Sequence, residues 1–192
     1  MISDETDFAA RVKQSVGLEL TLDESGRPKL LSPLGSPKWP NSLAHHRTVV
    51  MDTTPTEEGE FWPAPRFEIL IANLDALGIS VIQVGDPTSD RLSRATYHYK
   101  KLSSEDRAGV ISMCLLWIGL NTTWRIIAAA VGKPQIVIAY SESQVMPRWD
   151  NTFVANAKAH APESKALGPI SVMSVAEATT NALKFVGASF GL

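Results

Sequence analysis

Short apolar runs and apolar stripes with helical spacing follow one another along most of the chain. The apolar runs predict buried strands at residues 48–51, 79–84, 114–118, 135–140 and 170–173, with a weaker strand or a loop at 96–100. Stripes with a spacing of three or four residues predict helices at 65–77, 103–113, 121–131 and after Ser174, with shorter helices at 88–95 and 149–159.

The alternation of strands and helices indicates an α/β fold. Continuously apolar strands are typical of parallel sheets that are covered on both faces. We therefore expect a Rossmann-like three-layer domain with a parallel sheet of about five or six strands, preceded by an N-terminal arm. Such sheets bind ligands at the carboxyl ends of their strands, which directs attention to the loops 52–62, 85–90, 119–125 and 140–148.

The residues before the first strand have a different pattern. Residues 4–16 predict a short helix with Phe8, Val12 and Val16 on one face. Residues 17–46 are rich in Gly, Pro and Ser and predict a linker or an extended arm. This divides the chain into an N-terminal helix and linker arm, 1–46, and a Rossmann-like domain, 47–192.

Composition and charge exclude several classes of protein. The 192 residues, 44% of them apolar, suit one folded domain with a real core. A net charge of −2 provides no overall basic field that would attract nucleic acid. The single cysteine, Cys114, lies in an apolar run and predicts a buried thiol, and no Cys/His spacing indicates a metal site. No signal peptide and no apolar run of about 20 residues is present, so we expect a cytoplasmic protein without a transmembrane segment.

The segment 117–134 carries the candidate chemistry. A strand runs into a tight turn, and a helix begins at Asn121, Thr122 and Thr123, followed by Arg125. The free N–H groups and the dipole at a helix start favour a phosphate, and an arginine is suited to a pyrophosphate. The alternative is ordinary N-capping, with Arg125 in solvent.

Three motifs in the same order resemble the heptosyltransferase-type glycosyltransferases, which transfer sugars such as heptose from an ADP-linked donor. The family has a Trp-Pro motif that opens a helix, similar to 61–67 here, and then a strand that ends in a glycine-containing loop, similar to 78–86. Its third motif is roughly I-G-N-D-S-G-P-x-H-x-A-A-A-x-G-K-P, which resembles 118–134. The resemblance covers about residues 47–140 and implies the C-terminal, nucleotide-sugar-binding half of a GT-B enzyme.

The resemblance also implies where the donor would bind. It places the donor and phosphate contacts at Gly85, Asp86, Asn121, Thr122, Thr123, Arg125, Ser141 and Glu142. The substrate would be a nucleotide sugar, an ADP-linked one being an option, and neither a cofactor nor a metal is expected. No residue of the chain can be named as the catalytic base.

The chain departs from the family pattern at positions that matter for binding a phosphate. The family's Asp, Gly and His are Asn121, Thr123 and Ile126 here. Thr123 adds a Cβ where a backbone would approach a phosphate closely, and the Ile126 side chain cannot form a hydrogen bond. The family usually has a basic residue just before Trp-Pro, where this chain has Glu60 and Phe61, preceded by Glu57 and Glu58. Three carboxylates near a pyrophosphate would repel it, unless they point away or hold a metal.

Two interpretations of function follow. Family members have two such domains that face each other across a cleft, and the acceptor and the base come mainly from the N-terminal one. The first interpretation is the donor half of a glycosyltransferase, with a partner chain or domain supplying the acceptor side. The second is a non-catalytic binding or protein-interaction module on a degenerate glycosyltransferase fold, which could pair as a homodimer through 37–40.

Overall fold

The computed structural model describes residues 5–86, 89–99, 101–139, 145, 149–156 and 171–185. The helices are α1 (Glu5–Val16), α2 (Ala64–Ala76), α3 (Ser104–Met113), α4 (Thr123–Ala130) and α5 (Val172–Phe185). The strands are β1 (Leu20–Leu22), β2 (Pro28–Leu30), β3 (Thr48–Asp52), β4 (Ser80–Val84), β5 (Tyr97–His98), β6 (Trp117–Leu120), β7 (Gln135–Ala139) and β8 (Thr152–Asn156). No helix in these ranges is long and apolar enough to cross a membrane.

The central sheet has six strands in the order β5-β4-β3-β6-β7-β8, all of them parallel. This is the strand order of the doubly wound Rossmann fold, in which the chain moves outward in one direction from its first strand and then in the other. The change of direction falls between β3 and β6, and open α/β sheets bind their ligands at this switch point. The predicted α/β, Rossmann-like three-layer architecture is confirmed.

Helices cover both faces of the sheet. Val49 and Met51 of β3 pack into the apolar cluster that α2 and α5 cover, and Val50 packs into the cluster that α3 and α4 cover. Because both faces are buried, the strands carry apolar residues at successive positions rather than at alternate ones. The same burial explains why apolar runs in the sequence predict β3, β4, β6 and β7.

The N-terminal segment packs on the outside of the domain. Strands β1 and β2 form an antiparallel pair that contacts α4, and α1 contacts both β1 and α4. Val12, Leu18 and Leu20 are buried in the same apolar cluster as Val50. The sequence of 17–46 does not predict this hairpin, because strands of three residues are too short to show an alternating pattern.

Two predicted elements at the C-terminal end are wrong. Residues 149–159 predict a helix, but Thr152–Asn156 form β8, which pairs along its whole length with β7. Its β-branched and aromatic residues suit a strand once a partner strand is available. Residues 170–173 predict a strand, but α5 already begins at Val172, and Ser171 caps it by accepting the Ser174 N–H at 3.1 Å.

Two predictions in the middle of the chain also need correction. The helix predicted at 88–95 is absent from the described residues 89–95, where Gln83 holds an irregular loop. Its amide donates to the Asp90 carbonyl at 2.7 Å and accepts the Leu92 N–H at 2.8 Å. The strand predicted at 114–118 lies slightly later, as Trp117–Leu120, because Cys114 ends α3. The Cys114 thiol is buried, as predicted.

Candidate ligand site at the switch point of the sheet

The carboxyl ends of β3 and β6 meet at the switch point. Asp52, the last residue of β3, lies opposite Gly119 of β6 in the parallel ladder. A Cβ added at Gly119 would lie 2.5 Å from the Trp117 ring and 3.1 Å from the Asp52 Cβ, so only glycine fits there. Gly119, which the family motif also contains, therefore allows the Trp117 indole to lie beside the Asp52 carboxylate.

A buried ion pair occupies this position. The side chains of Asp52 and Arg107 are 1% and 7% exposed, and Nη2 of the arginine is 2.5 Å from Oδ1 of the aspartate. Asp52 also accepts the Thr54 backbone N–H at 3.0 Å and the Trp117 indole N–H at 3.4 Å. A buried carboxylate is tolerated only when it is paired and hydrogen-bonded in this way, and the network fixes the position of Arg107.

The Arg107 guanidinium is held on several sides and still has donors that the described residues leave unused. Its Nη2 also donates to the Thr54 Oγ1 at 2.5 Å, and its Cζ lies 4.0 Å from the centre of the Trp124 ring. Its Nη1 is 3.8 Å from the Asp86 carboxylate, and its Nε is buried with no hydrogen-bond partner in the described chain. A rigid guanidinium with free donors is suited to an oxyanion.

A cavity of about 220 Å³ lies beside Arg107. Its wall combines the end of β4 and the loop that follows, the end of α1, the segment before α3, and the starts of α3 and α4: Ser15, Val16, Val84, Gly85, Asp86, Tyr99, Lys101, Leu102, Ser104, Arg107 and Trp124. At Gly85 a Cβ would lie 2.7 Å from the Thr53 Oγ1 and 2.9 Å from the Ser89 Oγ, so the close packing of this loop requires glycine.

Two of the predicted donor contacts lie in this wall. Gly85 and Asp86 line the cavity, as expected for a loop at the carboxyl end of a parallel strand. Ser141 and Glu142 fall outside the described residues. The remaining predicted contacts, all at the start of α4, are not among the lining residues.

The polar residues at the start of α4 have other neighbours. Thr122 is the N-cap residue but forms no side-chain capping bond, and its Oγ1 is buried with no partner in the described chain. The Thr123 Oγ1 lies 3.0 Å from the Ser15 Oγ of α1. Arg125 is 3% exposed, which contradicts its placement in solvent, and its Nε donates to the Asn121 Oδ1 at 2.7 Å. Burial lowers the pKa of Arg125 to about 10, so it remains a cation at neutral pH.

The acidic residues that follow β3 contribute no carboxylate to the cavity wall. Glu57, Glu58 and Glu60 are all absent from its lining. Glu60 is instead tied to its own loop, because its backbone N–H donates to the Thr56 Oγ1 at 3.0 Å. Burial, reinforced by the nearby Glu58, raises the pKa of Glu60.

The sequence analysis missed Arg107 and Lys101. Arg107 lies on α3 directly before Ala108, Val110 and Ile111, which are all buried. A cation in an otherwise apolar helix segment is a signal, because a buried charge requires a partner. The partner, Asp52, is 55 residues earlier in the chain, so local patterns cannot identify it. Lys101 ends an aromatic and basic cluster, 97–101, whose pattern is typical of a solvated strand edge, and it follows a strand of only two residues.

Comparison with known proteins gives matches at the level of the fold. No protein-family model and no curated protein sequence matches the chain. The iron-containing dodecameric glycosyltransferase TibC from enterotoxigenic E. coli superimposes with a TM-score of 0.64 and 16% identity, over 84% of this chain and 51% of that one. The family 9 glycosyl transferase from Veillonella parvula gives 0.60 and 16%, over 74% and 48%.

A third structure, E. coli heptosyltransferase WaaC with ADP-2-deoxy-2-fluoro heptose, gives a TM-score of 0.57 and 20% identity, over 74% of this chain and 44% of that one. The chain thus spans about half the length of the structures that it matches. The similarity that the sequence motifs predict is confirmed in three dimensions: the chain has the Rossmann-like fold of one half of a heptosyltransferase-type GT-B glycosyltransferase.

Proposed function

We propose that the chain binds a nucleotide-diphosphate sugar donor as one half of a two-part glycosyltransferase. The observation that carries this proposal is the position of the cavity, which lies at the carboxyl edge of a Rossmann-ordered sheet with the buried cation Arg107 in its wall. Sheets of this order bind nucleotides at that edge, and a guanidinium is suited to the phosphates of such a donor.

The cavity has room for part of a donor. Pockets that enclose a whole small ligand have volumes of about 300–1,000 Å³, whereas this one has about 220 Å³. We assign the remaining donor contacts, the acceptor and the general base to a partner chain or domain, in keeping with matched structures about twice as long as this chain. Enclosure between two halves would align the reactants and exclude water.

ADP is the first nucleotide to test. Two of the structures with the same fold are WaaC with ADP and TibC in complex with ADP-D-β-D-heptose. The motifs that resemble this family point to the same class of donor. UDP and GDP provide the comparison, because they carry the same diphosphate on a different base.

The second candidate function is a non-catalytic binding or protein-interaction module. It is favoured by the start of α4, where Asn121 is bonded to Arg125 and Thr123 is bonded to Ser15 of α1. These contacts occupy polar groups that, by the family pattern, would bind the nucleotide-sugar donor. In addition, Ile126 stands where the family has a histidine. Such a module would keep the fold and bind a partner protein or a second copy of the chain.

Calorimetric titration of the full chain with ADP, UDP and GDP separates the two functions. We expect saturable binding of one nucleotide. Ser104→Phe, which places a ring at the cavity wall, should abolish it, while Ser36→Phe at an exposed position outside the wall should leave it unchanged. Failure of all three nucleotides to bind at millimolar concentration would contradict the donor function and favour the interaction module.

A further inference from the structure

We infer that the phosphate of the ligand binds on α3, against Arg107 and Lys101, and not at the start of α4. Beside it, Asp86 accepts hydrogen bonds from hydroxyl groups of the same ligand. The site therefore takes a phosphate ester of a sugar, such as the ribose phosphate of a nucleotide. The ligand class rests on the proposed function, whereas the location of the phosphate rests on the geometry of the wall.

Arg107 has donors that the described residues do not use. The hydrogen bonds to Asp52 and Thr54 both come from Nη2. Nη1 approaches Asp86 only to 3.8 Å, which is too long for a hydrogen bond, and Nε is buried without a partner in the described chain. The residue is 6% exposed and lines the cavity. Nη1 has no hydrogen bond within the described residues and, unlike Nε, is not fully buried, so it is the donor that an oxyanion in the cavity reaches.

Two neighbouring features of the wall also attract an anion. Lys101 is exposed and lines the cavity, and it forms no ion pair with any residue that the structure describes. Ser104, the first residue of α3, lines the same wall, so the positive end of that helix faces the cavity. A cation, a buried guanidinium and a helix start thus converge on one small volume.

The start of α4 is less suited to binding a phosphate than the wall formed by α3. Its Thr123 hydroxyl is engaged by Ser15, at the end of α1. Arg125 is buried, is bonded to Asn121, lies 5.7 Å from the centre of the Trp149 ring, and is not part of the cavity lining. A ligand there would have to displace these contacts, whereas the α3 wall already faces an open cavity.

Asp86 makes the site selective. Its side chain is 48% exposed and lies on the cavity wall near Arg107. An ionised carboxylate only accepts hydrogen bonds, so it repels a free phosphate but binds the hydroxyls of a sugar, as acidic residues do with ribose in other Rossmann folds. Discrimination of this kind combines an attractive contact with a repulsive one.

Titration of the full chain with inorganic phosphate and with ribose 5-phosphate tests the inference. Ribose 5-phosphate should bind more tightly. Lys101→Gln should weaken both ligands about threefold, as expected for an exposed charge, and Lys133→Gln, located between α4 and β7 and outside the cavity wall, should change neither. Asp86→Ala should change the two ligands in opposite directions, with tighter binding of phosphate and weaker binding of ribose 5-phosphate.

Arg107 is tested in a double variant, because Arg107→Gln alone would leave Asp52 buried without a counter-charge. Asp52→Asn with Arg107→Gln removes both charges, and circular dichroism reports whether the fold persists. This variant should bind both ligands at least about tenfold more weakly, as expected for the loss of a charged hydrogen bond. If it does not fold, the Lys101 and Asp86 variants decide.

Three results would overturn the inference: no binding of either ligand at millimolar concentration, binding that is insensitive to the Lys101 and Asp86 changes, or binding that is lost in Thr122→Ala. If nucleotides bind but the Lys101, Asp86 and Arg107 variants do not change their affinity, the inference is overturned and the proposed function stands. If ribose 5-phosphate binds as expected but no nucleotide binds, the location of the phosphate site stands and the proposed function is overturned.

Discussion

Removal of the Asp52 charge tests whether the buried ion pair stabilises the switch point. Asp52→Asn keeps the shape of the side chain and an oxygen that can accept the Thr54 N–H, but it leaves Arg107 buried without its counter-charge. Breaking a buried pair in this way costs about 3–5 kcal/mol. Asp86, 3.8 Å from Nη1, replaces part of the lost charge, so we expect the lower end of that range, about 3 kcal/mol.

Urea unfolding followed by tryptophan fluorescence measures this loss, because Trp117 and Trp124 are buried against the ion pair. With a slope of about 2 kcal/mol per M of urea, a loss of about 3 kcal/mol lowers the midpoint by about 1.5 M. Asp52→Asn combined with Arg107→Met should recover most of the loss, because exchanging both partners of a buried pair for uncharged residues is often nearly neutral.

The pair formed by Arg27 and Asp150 provides the matched control. Its Nη2 and Oδ2 atoms are 2.6 Å apart, but the side chains are 53% and 84% exposed. Asp150→Asn should cost at most about 1 kcal/mol, since exposed pairs contribute little. A loss for Asp52→Asn no larger than that for Asp150→Asn would refute the reasoning, because burial would then add nothing to the effect of removing the charge.

Three further predictions concern residues around this core. Gly119→Val should lower the free energy of unfolding by about 3 kcal/mol, because the new side chain overpacks against the Trp117 ring. The control Gly26→Ala should lower it by only about 1 kcal/mol, because a Cβ there contacts nothing and only the positive φ is strained. Burial raises the pKa of Cys114, so its thiol should react with a disulfide reagent only in urea, and rapid labelling of the native protein would contradict this. Burial and Glu58 raise the pKa of Glu60, so its ionisation opposes folding as the pH rises through the folded pKa; Glu58→Gln should raise the urea midpoint near neutral pH and leave it unchanged in acid.

The elements that could be predicted are those whose pattern is complete within the element. Strands β3, β4 and β7 are apolar along their length and bounded by turn residues, and α2 shows a full apolar stripe. Strand β8 could not be predicted, because Trp149 and Phe153 are spaced as in a helix and only the pairing with β7 makes the segment a strand. The β1–β2 hairpin likewise exists through its packing on α4.

The candidate site was predictable where topology alone determines it. Gly85 and Asp86 follow a parallel strand, so their place at the carboxyl edge follows from the strand order. The apolar neighbours of Arg107 are a signal of its burial, but its ion pair could not be predicted, because Asp52 is 55 residues away in the chain. For Arg125 the error has the same origin, since α1, the hairpin and Trp149 decide its environment.

The N-terminal segment, which comprises α1 and the β1–β2 hairpin, completes its contacts long after it has been synthesised. Gly26 accepts the Trp149 indole N–H from 123 residues further along the chain, and Ser15 of α1 contacts Thr123 after 108 residues. At about 5–20 residues per second on the ribosome, the segment waits about 5–25 s for these partners. Until then Leu18, which is buried in the folded protein, is in contact with water. During that interval the nascent N-terminal segment exposes apolar surface, which makes it a site where a holding chaperone can bind.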